Sequence, residues 1–117
     1  MDYETAKQYL LSKPEAKETF PFGSEVIVFK VCHKMFATLA IEEGLARVNL
    51  KCEPNRAQAL RDMFPSVLPG YHMNKVHWNT VLLDGSIPDS EIELMMDHSY
   101  ERVVENLPTA ERERLLG

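Results

Sequence analysis

The sequence predicts an α+β fold, in which helices pack on one face of an antiparallel sheet. β-Branched and aromatic residues concentrate between residues 25 and 52, whereas apolar residues recur at helical spacing before and after that segment. The connections between the predicted strands are only a few residues long, too short for the crossover helices of a parallel sheet. The expected order is therefore helix, three strands, helix, one or two strands, helix and a helical tail.

The first predicted helix covers residues 3–12, with Asp2 as its N-cap. Its buried stripe consists of Tyr3, Ala6, Tyr9 and Leu10. The helix ends before Pro14, because the residue that precedes a proline avoids the helical region. An aromatic turn, Thr19 to Gly23, is expected to lead into the sheet.

Three consecutive strands are predicted over residues 26–31, 35–41 and 45–52, which together form a meander. In the third strand, Val48 and Leu50 alternate with the polar residues around them. Those polar residues are Arg47, Asn49 and Lys51. Such alternation predicts one buried face and one face in water.

The second half of the chain is predicted to be a helix, a strand and two further helices. Pro54 suits the first turn of a helix, where its missing N–H is not needed, and residues 77–83 read as a strand. The longest helix is expected over residues 89–106 and ends before Pro108, after which Thr109 caps a short last helix. Its outer side carries an acidic ridge of Asp89, Glu93, Asp97, Glu101 and Glu105.

The charge balance does not suggest a strongly basic nucleic-acid module, because the net charge is -5. The acidic residues are nevertheless concentrated after Leu83. Within residues 44–83 the basic residues outnumber Glu53 and Asp62; they are Arg47, Lys51, Arg56, Arg61 and Lys75. A modest basic surface is therefore expected on an acidic chain, and its binding to phosphates would be weak and salt-sensitive.

Several classes of protein are excluded by composition. No apolar run approaches the length needed to span a bilayer, and the charged N-terminal segment does not resemble a secretory signal, so a cytoplasmic protein is expected. Cys32 and Cys52 are too few for a disulfide scaffold and are expected to be small buried side chains.

No catalytic residue, metal site or cofactor is expected. The histidines and cysteines lack zinc-type spacing, and the acidic ridge offers carboxylates without a closing loop, so a solvated helix face is favoured. The chain has neither a GxSxG elbow nor a glycine-rich phosphate loop. A pocket that joined Asn74, His77 and Asp84 would instead favour an enzyme.

The densest group of functional residue types lies between Tyr71 and Pro88. The stretch 74–81, NKVHWNTV, followed by LDGSIPD at 83–89, resembles the signature of the MmcQ/YjbR-like family of small bacterial proteins. FPFG at 20–23, KMFA at 34–37 and Ser99-Tyr100 fit the same pattern, so the resemblance covers nearly the whole chain. It implies one domain over residues 1–117, with a CyaY-like or secretion-chaperone-like fold.

The resemblance also implies about five strands in the order α-β-β-β-α-β-β-α, with an added strand within residues 67–73. Members of the family are often described as DNA-binding because the fold resembles a double-wing motif. DNA is therefore the first partner expected, with Arg47, Lys51, Arg56, Arg61 and Lys75 on its phosphates and with Asn74 and His77 beside them.

Other interpretations of these residues stay open. Asn74 could instead stabilise a left-handed turn, with Lys75 in solvent. For His77, a structural role is favoured over a role as a ligand. Trp78 is expected to be a core or sheet-packing residue. The alternative function is a protein-interaction adaptor or chaperone-like module, which would hold a basic partner on its sheet face or on Glu93 and Glu101 of the ridge.

Overall fold

The computed structural model describes residues 1–116 and shows four helices and six strands in that range. In chain order they are α1 (Tyr3–Leu11), β1 (Lys17–Thr19), β2 (Val26–Val31), β3 (Lys34–Glu42), β4 (Leu45–Lys51), α2 (Pro54–Met63), β5 (Val67–Pro69), β6 (Trp78–Leu82), α3 (Asp89–Glu105) and α4 (Thr109–Leu116). The α+β class, the meander and the strand within residues 67–73 are confirmed.

The strands form one antiparallel sheet in the order β1-β2-β3-β4-β6-β5. The sheet has one strand more than expected, because β1 pairs with β2 where only a turn was predicted after Thr19. The sequence Lys-Glu-Thr carries no apolar alternation, so its pairing is visible only in the folded sheet. His77 also differs from expectation, since β6 begins at Trp78 and His77 lies in the preceding turn.

The helices cover one face of the sheet and bury its apolar side chains. Val48, Leu50 and Val81 belong to the same buried cluster as Ile92 and Met96 of α3. Because successive strand residues point to opposite faces, the residues between them lie on the other side. We call that side the outer sheet face; it carries Lys17, Lys30, Arg47, Asn49, Lys51, Trp78 and Thr80.

The buried hydroxyl of Ser99 fastens α3 to the sheet. It accepts a hydrogen bond from the Lys51 amide at 2.8 Å and donates one to the Phe36 carbonyl. Phe36 is the extra residue of a bulge between β2 and β3, so its carbonyl is available for this contact. Tyr100 adds a bond from its hydroxyl to the Pro14 carbonyl at 2.6 Å. Together these bonds fix the position of α3 against the end of β4.

Part of the acidic ridge on α3 is used inside the molecule. Asp97 accepts a hydrogen bond from the Tyr9 hydroxyl at 2.7 Å and pairs with Lys13. Burial, together with this bond to Asp97, raises the pKa of Tyr9 to about 12. Asp89 pairs with the amino group of Met1 at 2.7 Å. These two carboxylates therefore attach α1 and the N-terminal residue to α3.

The two cysteines have different surroundings. Cys52 is buried, as the sequence predicts, whereas Cys32 is only half-buried, in the turn between β2 and β3. In the portion of the chain that the structure covers, no helix is long and apolar enough to cross a membrane.

Candidate nucleic-acid interface

A cleft of about 380 Å³ lies where β4 ends, β6 begins and α3 terminates. It brings together three of the residues that the sequence singled out, namely Lys51, Asn74 and His77. The other side chains that line it are Trp78, Arg102 and Asn106. None of these six residues is acidic, so the cleft offers an ammonium, a guanidinium, an imidazole and two amides to a ligand.

The two cations of the cleft lack a carboxylate partner. Within residues 1–116, no carboxylate oxygen lies within 4.0 Å of the Lys51 ammonium or the Arg102 guanidinium. Both side chains are half-buried, and the Arg102 Nε atom is buried without a hydrogen-bond partner in that range. A guanidinium N–H in this position is a donor without an acceptor, which is costly inside a protein.

Asn74 builds the turn that forms one wall of the cleft. Its side-chain oxygen accepts hydrogen bonds from the amides of Val76 at 2.9 Å and His77 at 3.3 Å. Its backbone carbonyl accepts the Trp78 amide at 2.9 Å, and the His77 carbonyl accepts the Cys52 amide at 2.8 Å. The expected turn role of Asn74 is therefore present, although the left-handed backbone in this loop belongs to His72 at φ 58.

Two of the basic residues expected on phosphates are engaged within the fold. Arg61 donates from Nε to the Asn79 side-chain oxygen at 2.7 Å and from Nη2 to the carbonyls of Lys75 and Trp78. Lys75 donates to the Gly70 carbonyl at 3.2 Å. Arg61 is half-buried and connects α2 to the 74–78 turn, so its Nε and Nη2 donors are used within the fold.

Arg47 and Arg56 lie outside the cleft. Arg56 is exposed on the first turn of α2, with Nη1 at 3.4 Å from Nδ1 of His98. Arg47 shares the outer sheet face with Lys51, as predicted, but lies four residues away along β4, about 13 Å at the usual rise per residue. Its Nη1 pairs with Glu42 at 3.3 Å. Of the seven predicted residues, three therefore line the cleft and four do not.

The outer sheet face adds two lysines that the sequence did not single out. Lys17 of β1 pairs in register with Lys30 of β2, at the same end of the sheet as Lys51 of β4. Three strand spacings separate β1 from β4, or about 14 Å. Basic groups therefore lie at this end of the outer sheet face on β1, β2 and β4, although Lys17 and Lys30 line a cavity that Glu15 and Glu111 also line. Glu42, on β3 of the same face, is paired with Arg47.

Comparison with known proteins identifies the relatives of this chain. The YjbR family model matches residues 11–102. The chain belongs to the YjbR family. It is 38% identical over 109 residues to the uncharacterized protein YjbR of Escherichia coli K12, covering 93% of this chain and 92% of that one. It is 34% identical to YbdF of Escherichia coli O157:H7 over 97% of this chain and 93% of that protein.

Solved structures support the same assignment. The crystal structure of Deinococcus radiodurans protein DR2400, with a DUF419 domain, matches with a TM-score of 0.89 at 37% identity, over 97% of this chain and 87% of that one. The crystal structure of a Pseudomonas syringae protein matches with a TM-score of 0.74 at 29% identity, over 85% and 96% of the two chains. The YjbR-like resemblance of the sequence is therefore confirmed.

The LDGSIPD segment of this YjbR-family chain has a structural use. Asp84 accepts hydrogen bonds from the Ser66 hydroxyl and from both the amide and the hydroxyl of Ser86, at 3.0 and 2.6 Å. These bonds, led by that from Ser66, lower the pKa of Asp84 to about 2. Asp84 follows the C-terminal end of β6, whereas Asn74 and His77 precede its start. The structure therefore does not join the three residues in one pocket.

The sequence missed Arg102, which supplies the guanidinium of the cleft in this YjbR-family protein. Arg102 directly follows Glu101 of the acidic ridge, and the periodic carboxylates around it made the helix look acidic throughout. A signal was present, because a basic residue in the last turn of a helix faces the partial negative charge of its C-terminus. Only the packing of α3 against β4 shows which side chains meet Arg102.

Proposed function

We propose that this YjbR-family protein is a DNA-binding module that holds backbone phosphates at the cleft. The observation that carries the proposal is the pair of cations, Lys51 and Arg102, which within residues 1–116 have no carboxylate oxygen within 4.0 Å and which share a cleft without an acidic lining residue. Removing charge from water is expensive unless an opposite charge or an acceptor replaces the solvent. A phosphate group supplies both, because it carries negative charge and several acceptor oxygens.

The chemistry of the remaining lining residues supports a phosphate ligand. Arg102 can donate from its planar fork and Lys51 as a point charge, which are the two usual modes of phosphate recognition in proteins. The amides of Asn74 and Asn106 and the ring of His77 add further hydrogen-bonding groups around them. Contacts of this kind position a nucleic acid backbone without reading its sequence.

The outer sheet face gives the backbone a path beyond the cleft. Lys17 and Lys30 lie on that face at the same end as Lys51, so a chain of phosphates can follow basic groups across the strands. With this few contacts the affinity is modest and falls steeply with salt.

A binding role, without catalysis, agrees with the arrangement of the polar groups. Asp84 is held by two serines at the far end of β6, which leaves no carboxylate beside His77 in the cleft. The adaptor alternative keeps Glu93 and Glu101 but loses part of the acidic ridge, because Asp89 and Asp97 already hold the N-terminal residue and α1. The proposal therefore favours DNA over a basic protein partner.

The test is a fluorescence-anisotropy titration of labelled DNA at low salt. The expected result is binding that the double change Lys51→Gln with Arg102→Gln weakens at least about tenfold, since two charge-assisted contacts are lost. Lys7→Gln is the matched control, because Lys7 lies on α1 and makes only a surface contact with Glu18 at 3.9 Å. Absence of binding at high micromolar protein, or equal loss in the control, contradicts the proposal.

A further inference from the structure

The loop after β5 places an aromatic pair against the outer sheet face. The Tyr71 amide donates to the Thr80 hydroxyl at 2.9 Å, and Thr80 lies on that face because it alternates with the buried Val81. The Tyr71 side chain keeps 49% exposure, and its ring centroid lies 4.0 Å from that of His72 at an interplanar angle of 46°. Two rings are thus presented to solvent beside the basic surface.

Several contacts fix this aromatic pair in place. The backbone of Gly70 packs so closely on Trp78 that a Cβ at Gly70 would lie 2.7 Å from the Trp78 Cβ atom. His72 adopts a left-handed backbone at φ 58, which is uncommon for a residue with a side chain. The guanidinium of Arg47 lies 5.9 Å from the Tyr71 ring centroid. The loop is therefore held on the sheet rather than extended into solvent.

We infer that the DNA bound by this protein is single-stranded and that its unpaired bases stack on the Tyr71–His72 pair. The inference rests on the proposed function and names the form of its ligand. Proteins that bind single strands combine a basic groove for the backbone with aromatic side chains for the bases. Here the Thr80 anchor pairs in register with Asn49, two residues from Lys51 along β4, or about 7 Å from it.

Duplex DNA makes poorer use of the exposed Tyr71–His72 pair than a single strand does. The bases of a duplex are already stacked, so an exposed aromatic pair gains nothing against its backbone. Reading a duplex in the major groove needs a helix or a β-ribbon that enters it. The longest helix of this protein, α3, exposes Glu101 and Glu105 and would repel the phosphates on either side of the groove.

The experiment compares one labelled oligonucleotide of about 15 nucleotides as a single strand and as a duplex, by anisotropy at low salt. The wild-type protein is expected to bind the single strand at least tenfold more tightly. Tyr71→Ala weakens single-strand binding about 5- to 150-fold, the range for one stacked base, and changes duplex binding less than twofold. Tyr71→Phe keeps the wild-type affinity, because it retains the ring.

Phe22→Ala is the matched control, since Phe22 is 74% exposed in the loop between β1 and β2, outside the site. Equal affinity for both forms of DNA, or full single-strand binding by Tyr71→Ala, overturns this inference and leaves the proposed function standing. Failure of the wild-type protein to bind either form overturns the proposed function itself. Thermal melting by circular dichroism verifies that each variant is folded, and Tyr71→Leu replaces Tyr71→Ala should the smaller side chain unfold the loop.

Discussion

His98 of α3 holds the first turn of α2 beside the cleft. Its Nε2 atom accepts a hydrogen bond from the Glu53 amide at 3.1 Å, and Glu53 in turn caps α2 by accepting the amides of Asn55 and Arg56. An Nε2 atom that accepts this bond cannot carry a proton, so the folded protein requires a neutral imidazole. Burial, followed by the charges of Arg56 and Arg102, lowers the pKa of His98.

This requirement makes stability depend on pH. In the unfolded chain His98 titrates near its ordinary pKa of 6.5, and in the folded protein it titrates lower. Between these values the unfolded chain binds more protons than the folded protein. The contribution of His98 to the free energy of unfolding is therefore fully present above about pH 6.5, and it declines as the pH falls below that value. The nearby carboxylates of Glu53 and Glu105 oppose the shift and do not reverse its direction.

Urea denaturation between pH 5 and pH 8 tests this dependence. His98→Gln is expected to flatten it, because a glutamine side-chain oxygen can accept the Glu53 amide without titrating. His33→Gln, at an exposed turn position, keeps the wild-type slope against pH. An unchanged slope in His98→Gln would show that another group sets the acid sensitivity.

At the scale of elements, the sequence predicted the strong periodic segments and missed the weak ones. The alternation of Val48 and Leu50 with polar neighbours placed β4 and its two faces correctly, and Pro54 marked the first residue of α2. β1 has no such pattern, since its pairing comes from β2 rather than from its own residues. Arg61 was expected on phosphates, because its spacing on α2 gives no sign of the three carbonyl and amide oxygens that accept its hydrogen bonds.

Arg61 joins α2 to the 74–78 turn, so its loss should loosen one wall of the cleft. Arg61→Lys cannot reproduce the planar fork and leaves acceptors of Asn79 and Trp78 unpaired. The expected cost is about 1.5–3 kcal/mol in the free energy of unfolding, the usual value for a charged hydrogen-bonded group. Hydrogen exchange should quicken at the His77 and Trp78 amides, which close the turn on Asn74.

Urea denaturation and amide exchange measure the two effects together. Arg56→Lys is the matched control, because Arg56 is exposed on the same helix and a surface change of this kind costs less than about 0.5 kcal/mol. Equal protection of the turn in Arg61→Lys and the wild type would mean that Arg61 does not hold it.

At the scale of the whole molecule, charge is divided between two sides of the sheet. The outer sheet face and the cleft carry Lys17, Lys30, Lys51 and Arg102, while α3 carries the acidic ridge on the helix side. A net charge of -5 conceals this division, because the total does not report where the charges lie. The balance of charges within residues 44–83 predicted a basic surface from the middle of the chain. It could not reveal that Arg102, which comes from the acidic C-terminal segment, completes the basic site.

This division sets the salt dependence expected for DNA binding. Four cations on one path would neutralise about four phosphates, so the slope of log affinity against log salt for a single strand is about -3. Lys30→Gln removes one contact and should reduce the magnitude of the slope by about 0.7, whereas Lys7→Gln on α1 leaves it unchanged. Anisotropy titrations from about 20 to 200 mM salt measure both slopes. A slope in Lys30→Gln equal to that of the wild type would place the backbone away from the outer sheet face and confine the phosphate contacts to the cleft.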